Sequence, residues 1–295
     1  KKSVELNLKT PEGVEIARKL VAGADVVVES FRPGVMEKMG LGYETLRELN
    51  PGLVMCSVST FGQTGPYSRL PGYDIIAQAY SGIMSLTGDR DGIPRKVGPS
   101  IADYTGGANA FGAVSAALFH RERTGKGQYI DISLLDGLVA ANDYYESAYL
   151  GYNAVRTGNH HSLIAPYGVF TGRCGSVVIG AINHKLWCRL TAAIGMPELA
   201  EDPRFSSVEK IIDHLAEAIE IIEGWLDTFE STEAPIGILK EAGVPCAPVL
   251  DTVQLADDPH LRARGMAARL RTPELERGDV NARGPHLKFS GCEAR

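Results

Sequence analysis

The chain has 295 residues, enough for about two domains, and its 44% hydrophobic and 22% charged content is that of an ordinary globular protein with a sizeable core. A net charge of −6 supplies no overall basic field to recruit nucleic acid or an anionic membrane. Five cysteines, an odd number with no CxxC pair, read against a disulfide framework and for reduced thiols in the cytoplasm.

No apolar run approaches the roughly 18 residues of a membrane helix, and the first residues show no signal-peptide pattern. The chain starts at Lys1 and enters an alternating stretch, Ser3-Val-Glu-Leu-Asn-Leu8, almost at once. A chain that opens inside an element is expected to be a fragment. Thr10-Pro11-Glu12 then marks a helix start: a capping hydroxyl, a proline at the first helical position and an acid in the first turn. Val14, Ala17, Leu20 and Val21 follow at helical spacing, and Gly23 ends the helix. Asp25-Val-Val-Val-Glu29 predicts a buried strand. After a loop at Phe31-Arg-Pro-Gly34 and a short helical segment, Leu53-Val-Met-Cys-Ser-Val58 predicts a second strand. It ends in the glycine-rich loop Phe61-Gly-Gln-Thr-Gly-Pro66. Alternation of strand and helix argues for an α/β fold with a parallel sheet.

Residues 108–119, rich in Ala and Gly, predict a tightly packed helix closed by Thr124-Gly125. Gln128-Tyr-Ile-Asp-Ile-Ser133 predicts a third strand. The pattern weakens from about 136 to 166 into a tyrosine-rich helix and a loop that suit a linker. Tyr167-Gly-Val-Phe-Thr171 and Ser176-Val-Val-Ile-Gly180 flank a turn and predict a β-hairpin. Helical patterns follow around 186–194, 208–229 and 232–242, as in a smaller α+β domain.

Several residues invite a chemical reading. Asp103 stands just before the Ala/Gly-rich helix, where a plain N-cap is the simplest role. That role is compatible with chemistry, since a helix N-terminus favours the ionised carboxylate that a nucleophile must be. Gly106 and Gly107 would allow another backbone or a ligand to come close. The 61–66 loop lacks the Walker and G-x-G-x-x-G patterns and is a weak phosphate motif, more simply a turn. Tyr73-Asp74 looks like a capped helix start. Adjacent His160 and His161 do not form a metal motif, so no metal is expected. Arg121, Arg123 and Lys126 at a helix end complement its dipole.

An ordered series of stretches goes further: Glu29-Ser-Phe-Arg-Pro-Gly34, Met39-Gly-Leu-Gly-Tyr-Glu44, Phe61-Gly-Gln-Thr-Gly-Pro-Tyr67, Gly72-Tyr-Asp74, Gln78-Ala-Tyr-Ser-Gly82, Ile101-Ala-Asp103, Arg121-Glu-Arg-Thr-Gly-Lys-Gly-Gln-Tyr129, Ala242-Gly-Val-Pro-Cys246 and Asp258-Pro-His-Leu-Arg-Ala-Arg-Gly265. Each is weak alone. Together, across nearly the whole chain, they resemble the class III coenzyme A transferases, the family of formyl-CoA transferase, carnitine CoA-transferase and the α-methylacyl-CoA racemases.

The resemblance implies a large Rossmann-like CoA-binding domain over 1–132, a linker over 133–165, a small α+β domain over 166–260 and a return to the large domain over 261–295. It also implies an interlocked homodimer. Asp103 matches the catalytic aspartate, and Tyr73 and Asp74 match positions lining the active site. Leu6, Lys9, Ser30, Phe31, Arg32, Lys38, Met39 and Leu134 match CoA-contacting positions, with Ser30 in place of the usual asparagine. The substrates would be an acyl-CoA and a carboxylic acid, with CoA thioester as substrate and no further cofactor. The racemases carry His where Tyr73 stands, and an ordinary Tyr, titrating near pH 10, is a poor base at neutrality; transfer is therefore favoured over racemisation. The loop Gly158-Asn-His-His-Ser-Leu-Ile-Ala-Pro166 lacks the glycine run of formyl-CoA transferases. Residues 72–88 look more like members that use succinyl-CoA and other dicarboxylates. A non-catalytic CoA-binding paralogue is the reading from a different class.

Overall fold

The computed structural model describes residues 2–271, 278 and 280–291. Cys292 lies outside these residues, as do Lys1 and parts of the 261–295 segment expected to return to the large domain; Cys56, Cys174, Cys188 and Cys246 are free thiols. The chain divides into two compact units, Lys1–Gly158 and Asn159–Arg295. The fold is mixed α/β, with a parallel sheet in the first unit and antiparallel sheets in the second.

In the first unit, helix Pro11–Ala22 begins where the capping signals predict, with the Thr10 hydroxyl accepting from the amide of Gly13 at 3.2 Å. The preceding stretch 3–8 forms no strand. Among the described residues no strand pairs with it, so pattern alone does not make it an element. Strands β1 (Val26–Glu29), β2 (Val54–Ser59) and β3 (Gln128–Ser133) form a parallel sheet in that order. Val54, Met55, Cys56 and Ser57 of the central β2 are all buried, as expected for a parallel strand covered on both faces. One apolar cluster gathers Met36, Leu41, Leu46, Leu53 and Met55. A second gathers Ala77, Ala102, Leu134 and Leu138. Helix Ile101–Thr124 is twice the predicted length and starts before Asp103 rather than after it. Near its end Arg121 pairs with Asp25 at 3.0 Å and also donates to the carbonyls of Asp25 and Gly52. Its main contribution is thus to tie the helix to the strand-entry loops.

In the second unit, β4 (Tyr167–Gly172) and β5 (Gly175–Gly180) form the predicted hairpin. A three-residue strand β6 (Cys246–Pro248) pairs with β5; its shortness and terminal proline suit an edge and hid it in the sequence. Strands β7 (Ala267–Leu270) and β8 (Val280–Arg283) form a separate antiparallel pair. The helical pattern over 208–229 resolves into Val208–Asp213 and Leu215–Leu226, parted at His214. The ring Nδ1–H of His214 instead donates to Glu217 Oε1 at 2.8 Å, and the ring packs edge-on to Phe205. Trp187, Phe170, Phe205, Leu190 and Ile222 form the centre of one continuous core.

Candidate active site

The three parallel strands end side by side, with Glu29 opposite Ser57 and Ser59 opposite Ser133. The residues just past those ends line a cavity of about 320 Å³. Ser30, Phe31 and Arg32 follow β1, Thr60 and Phe61 follow β2, and Leu134 follows β3; Tyr73 and Asp103 complete the wall. The crevice at the carboxyl ends of parallel strands is where open α/β sheets bind ligands. Two features hold its rim. The amide of Phe31 donates to Glu29 Oε2 at 2.7 Å. A Cβ on Gly72 would stand 2.5 Å from the Thr60 side chain, so only glycine lets the 68–73 loop lie against the end of β2.

Asp103 is the third residue of its helix, not its cap. The N-cap is Ser100, whose side chain makes no capping bond. The cap comes from elsewhere in the chain: Asp74 Oδ1 accepts from the amides of Ala102 at 2.7 Å and Asp103 at 3.4 Å. This releases the Asp103 carboxylate to face the cavity. One turn on, a Cβ on Gly106 would fall 2.3 Å from Leu134 Cδ2, so glycine lets the helix close on Leu134, while Gly107 is open to space.

Desolvation at the cavity wall pushes the pKa of the exposed Asp103 above the ordinary carboxylate value, and the neighbouring Asp74 charge pushes it further the same way. This reverses the direction expected from a helix N-terminus. Desolvation is the larger cause and the Asp74 charge the smaller, and Asp74 also occupies two of the amide groups that would otherwise stabilise the Asp103 charge.

The other predicted residues fall into separate places. Tyr73 is 80% exposed, at the cap position of helix Asp74–Tyr80, on the cavity wall. Asp74 turns its carboxylate to the helix 101–124 terminus and is not among the lining residues. Ser30, Phe31, Arg32 and Leu134 join Asp103 in the cavity. Lys9, Lys38 and Met39 line a second, more open hollow of about 660 Å³ with Leu8, Val14 and Arg18. Leu6 lies in neither and is half-buried. Ser59, Thr60, Leu70 and Pro71 also line the cavity and were missed; the end of a predicted central strand was the available signal.

The family profile of CoA-transferase family III matches residues 1–295. This chain belongs to CoA-transferase family III. It is 39% identical over 280 residues to the succinyl-CoA–D-citramalate CoA-transferase of Chloroflexus aurantiacus, an overlap of 93% of this chain and 69% of that protein. It is 38% identical over 283 residues to the succinate–glutarate CoA-transferase of Agrobacterium fabrum, covering 95% of this chain and 70% of the relative. Among solved structures, a CAIB/BAIF family protein from Brucella suis superposes with a TM-score of 0.84 at 35% identity, covering 98% of this chain and 75% of that one.

Within this family III chain the glycine-rich 61–66 loop acts as a turn. The amide of Gln63 donates to Asp131 Oδ2 at 2.9 Å, so a carboxylate already takes this loop amide. His160 and His161 serve the second unit's hairpin. His160 packs edge-on to Phe170 and burial lowers its pKa. His161 packs on Tyr167 and its Nδ1 accepts from the Leu163 amide at 3.0 Å. Among the described residues no cluster of three His, Cys, Asp or Glu is arranged for a metal ion, and no helix is long and apolar enough to cross a membrane.

Proposed function

We propose that the protein moves coenzyme A from succinyl-CoA to a second dicarboxylic acid through a covalent intermediate on Asp103. The observation that carries this is the position of Asp103 on the wall of the strand-end cavity together with Tyr73 and the Ser30–Phe31–Arg32 turn. The relatives named for succinyl-CoA, D-citramalate and glutarate supply the substrate class.

An Asp103 oxygen attacks the thioester carbonyl, the C–S bond breaks and CoA leaves as thiolate, giving a mixed anhydride. The thiolate then attacks the Asp103 carbonyl carbon and expels succinate, leaving an aspartyl–CoA thioester. The acceptor carboxylate attacks this thioester, releasing thiolate again and forming a second anhydride. Attack of the thiolate on the acceptor's acyl carbon yields the new acyl-CoA and restores the Asp103 carboxylate. No proton or water is consumed, and entry of water would waste the anhydride. Arg32 from the first cavity and Lys9 and Lys38 from the second hollow would pair with CoA phosphates. Phe31, Leu134, Met39 and Leu6 would pack its apolar parts, and Ser30 would hydrogen-bond. Tyr73 and Asp74 would shape the pocket around Asp103.

The large unit is read as Rossmann-like over 1–132, with 133–165 as linker, 166–260 as the small domain and 261–295 returning, in a cytoplasmic interlocked homodimer. The exposed apolar side chains of Phe111 and Phe119 on helix Ile101–Thr124 support a second copy as partner.

The test is mass spectrometry of the protein after exposure to succinyl-CoA, with hydroxylamine trapping and a panel of acceptors that includes glutarate, citramalate and oxalate. A trapped adduct on Asp103 and CoA transfer to a dicarboxylate are expected. CoA binding without an adduct, unchanged in Asp103→Ala, would leave a non-catalytic binder. Deuterium entry at an α-carbon without acyl exchange would leave a racemase.

A further inference from the structure

Gln78 is a polar side chain with 0% exposure inside the first unit, and the proposed chemistry does not use it. It sits one turn after Asp74 on the same helix. Its Nε2 donates to Asp74 Oδ2 at 2.6 Å, and its Oε1 accepts from the amide of Val97 at 2.9 Å. The two partners fix the amide's orientation, because Val97 N–H can only donate and the carboxylate only accepts. Asp74 is thereby held at both oxygens: Gln78 at Oδ2, and the amides of Ala102 and Asp103 at Oδ1. Val97 belongs to the loop that leads into the Asp103 helix. The far part of that loop is clamped by Arg156, which donates to the carbonyls of Ser85, Asp89 and Gly92 at 3.2, 3.2 and 2.7 Å.

A buried side chain this fully engaged has a mechanical consequence. If Gln78 lost its bond to Asp74, the Asp74 carboxylate would be free to rotate about its own bonds. The amides of Ala102 and Asp103 would lose their fixed acceptor, and the first turn of the helix would fray. Asp103 stands in that turn. Displacement of a reacting group by about 1 Å costs on the order of 100-fold in rate.

We propose that Gln78 is a positioning residue for the Asp103 nucleophile, acting through Asp74 by locking the cross-chain cap of helix Ile101–Thr124 and joining it to the 88–100 loop. It touches no substrate. The inference rests on the covalent role of Asp103 proposed above.

The test compares wild type, Gln78→Leu and Gln78→Glu by single-turnover formation of the hydroxylamine-trapped Asp103 adduct, by CoA affinity and by melting temperature. Gln78→Leu removes both bonds and is expected to slow adduct formation by on the order of tenfold to a hundredfold, with CoA affinity held within about twofold because the CoA contacts are elsewhere. Gln78→Glu keeps the shape but, when ionised, sets a second carboxylate against Asp74. It is expected to be slow at about pH 8 and to recover toward the wild-type rate at about pH 6, where the protonated acid donates to Asp74 and accepts from Val97. Its own helix carries Asp74, the first turns of the two helices packed against that helix carry Asp103 and Asp136, and the loop beside Val97 carries Lys96, which donates to the carbonyls of Val97 and Gly98. A wild-type adduct rate in Gln78→Leu overturns the inference, as does a Gln78→Glu rate that ignores pH. Equal losses of adduct rate, CoA affinity and folded fraction would mark Gln78 as merely structural and also overturn it. Absence of the Asp103 adduct in the wild type itself would sink the functional reading and the inference together, and that outcome is visible before any variant is made.

Discussion

The second unit packs Trp187, Phe170, Phe205, Leu190, Ile211, Ile222 and Leu226 into one continuous core, and each of these side chains is fully buried. The first unit instead has two small clusters and leaves Tyr73, Phe111, Phe119, Tyr149 and Leu150 exposed. Its long helix buries only Ala102, Gly106 and Ala117. The second unit is therefore organised by apolar packing, while the site in the first is organised by directional hydrogen bonds from residues far apart in sequence. Packing tolerates adjustment among neighbours, but a hydrogen-bonded cap sets one geometry, which the role proposed for Asp103 requires.

Substitutions can sharpen or break this contrast. The largest effect is expected at Asp103. Asp103→Asn should lower transfer by about 10³-fold or more, measured as CoA exchange between succinyl-CoA and glutarate. The same variant should melt at a higher temperature at neutral pH. The raised pKa means that the folded state binds the Asp103 proton more readily than the unfolded chain. Asp103 thus lowers stability once pH has risen past its folded pKa, and the penalty disappears below the ordinary carboxylate range. A melting-temperature gain that persists unchanged into acid would contradict this.

Next in size is Trp187→Ala, in the packed unit. Trp187 stacks on Phe205 at 5.3 Å between ring centroids and its Nε1 donates to the Leu199 carbonyl at 3.3 Å. Removing it should cost about 3–5 kcal/mol by denaturant unfolding. A loss under about 1 kcal/mol would mean that the core of the second unit is looser than its burial suggests.

A smaller effect concerns pH. The Asp74 charge contributes to the raised pKa of Asp103, so Asp74→Asn, which retains an oxygen for the Ala102 amide but turns an NH2 toward the Gln78 NH2, should lower the transfer rate as Gln78→Leu does and, in what remains, move the acid limb to lower pH. A limb that stays in place or moves up would show that Asp103 ionisation does not govern it. The smallest effect is expected at the surface of the second unit. Arg204 bonds Asp202 and Glu217, and these partners hold both carboxyls below their usual pKa range, with Glu217 lowered first by His214 and then by Arg204. Arg204 and Glu217 are solvent-exposed and Asp202 is half-buried, and such surface pairs are screened. Arg204→Ala should leave the melting temperature nearly unchanged at moderate salt.

Much of the architecture was legible because it is written in neighbouring residues. Thr10-Pro11 at a helix start, the apolar run of β2, the 128–133 strand and the 167–180 hairpin each depend on period and on local capping or turn chemistry; β1 was legible as a strand but not as the buried one expected, since it lies at the edge of the three-stranded sheet and Val28 is 63% exposed. The ordered motifs were equally local, and they led to CoA-transferase family III, with the profile matching the whole chain. The break at His214 and the edge strand β6 were not legible, since the first interrupts an unbroken apolar pattern and the second exists only by pairing with β5.

At the site, the residue types were visible in the sequence but their division of labour was not. Asp103 looked like a cap because it precedes an Ala/Gly-rich run, yet the cap is Asp74, 28 and 29 residues before the two amides it serves. Local sequence therefore marked Asp103, Tyr73 and Asp74 as candidates and determined most of the elements that hold them. Only the tertiary structure decided that one carboxylate binds the helix terminus while the other faces the cavity, because a hydrogen bond between distant segments depends on the folded path of the chain and leaves no periodicity to read.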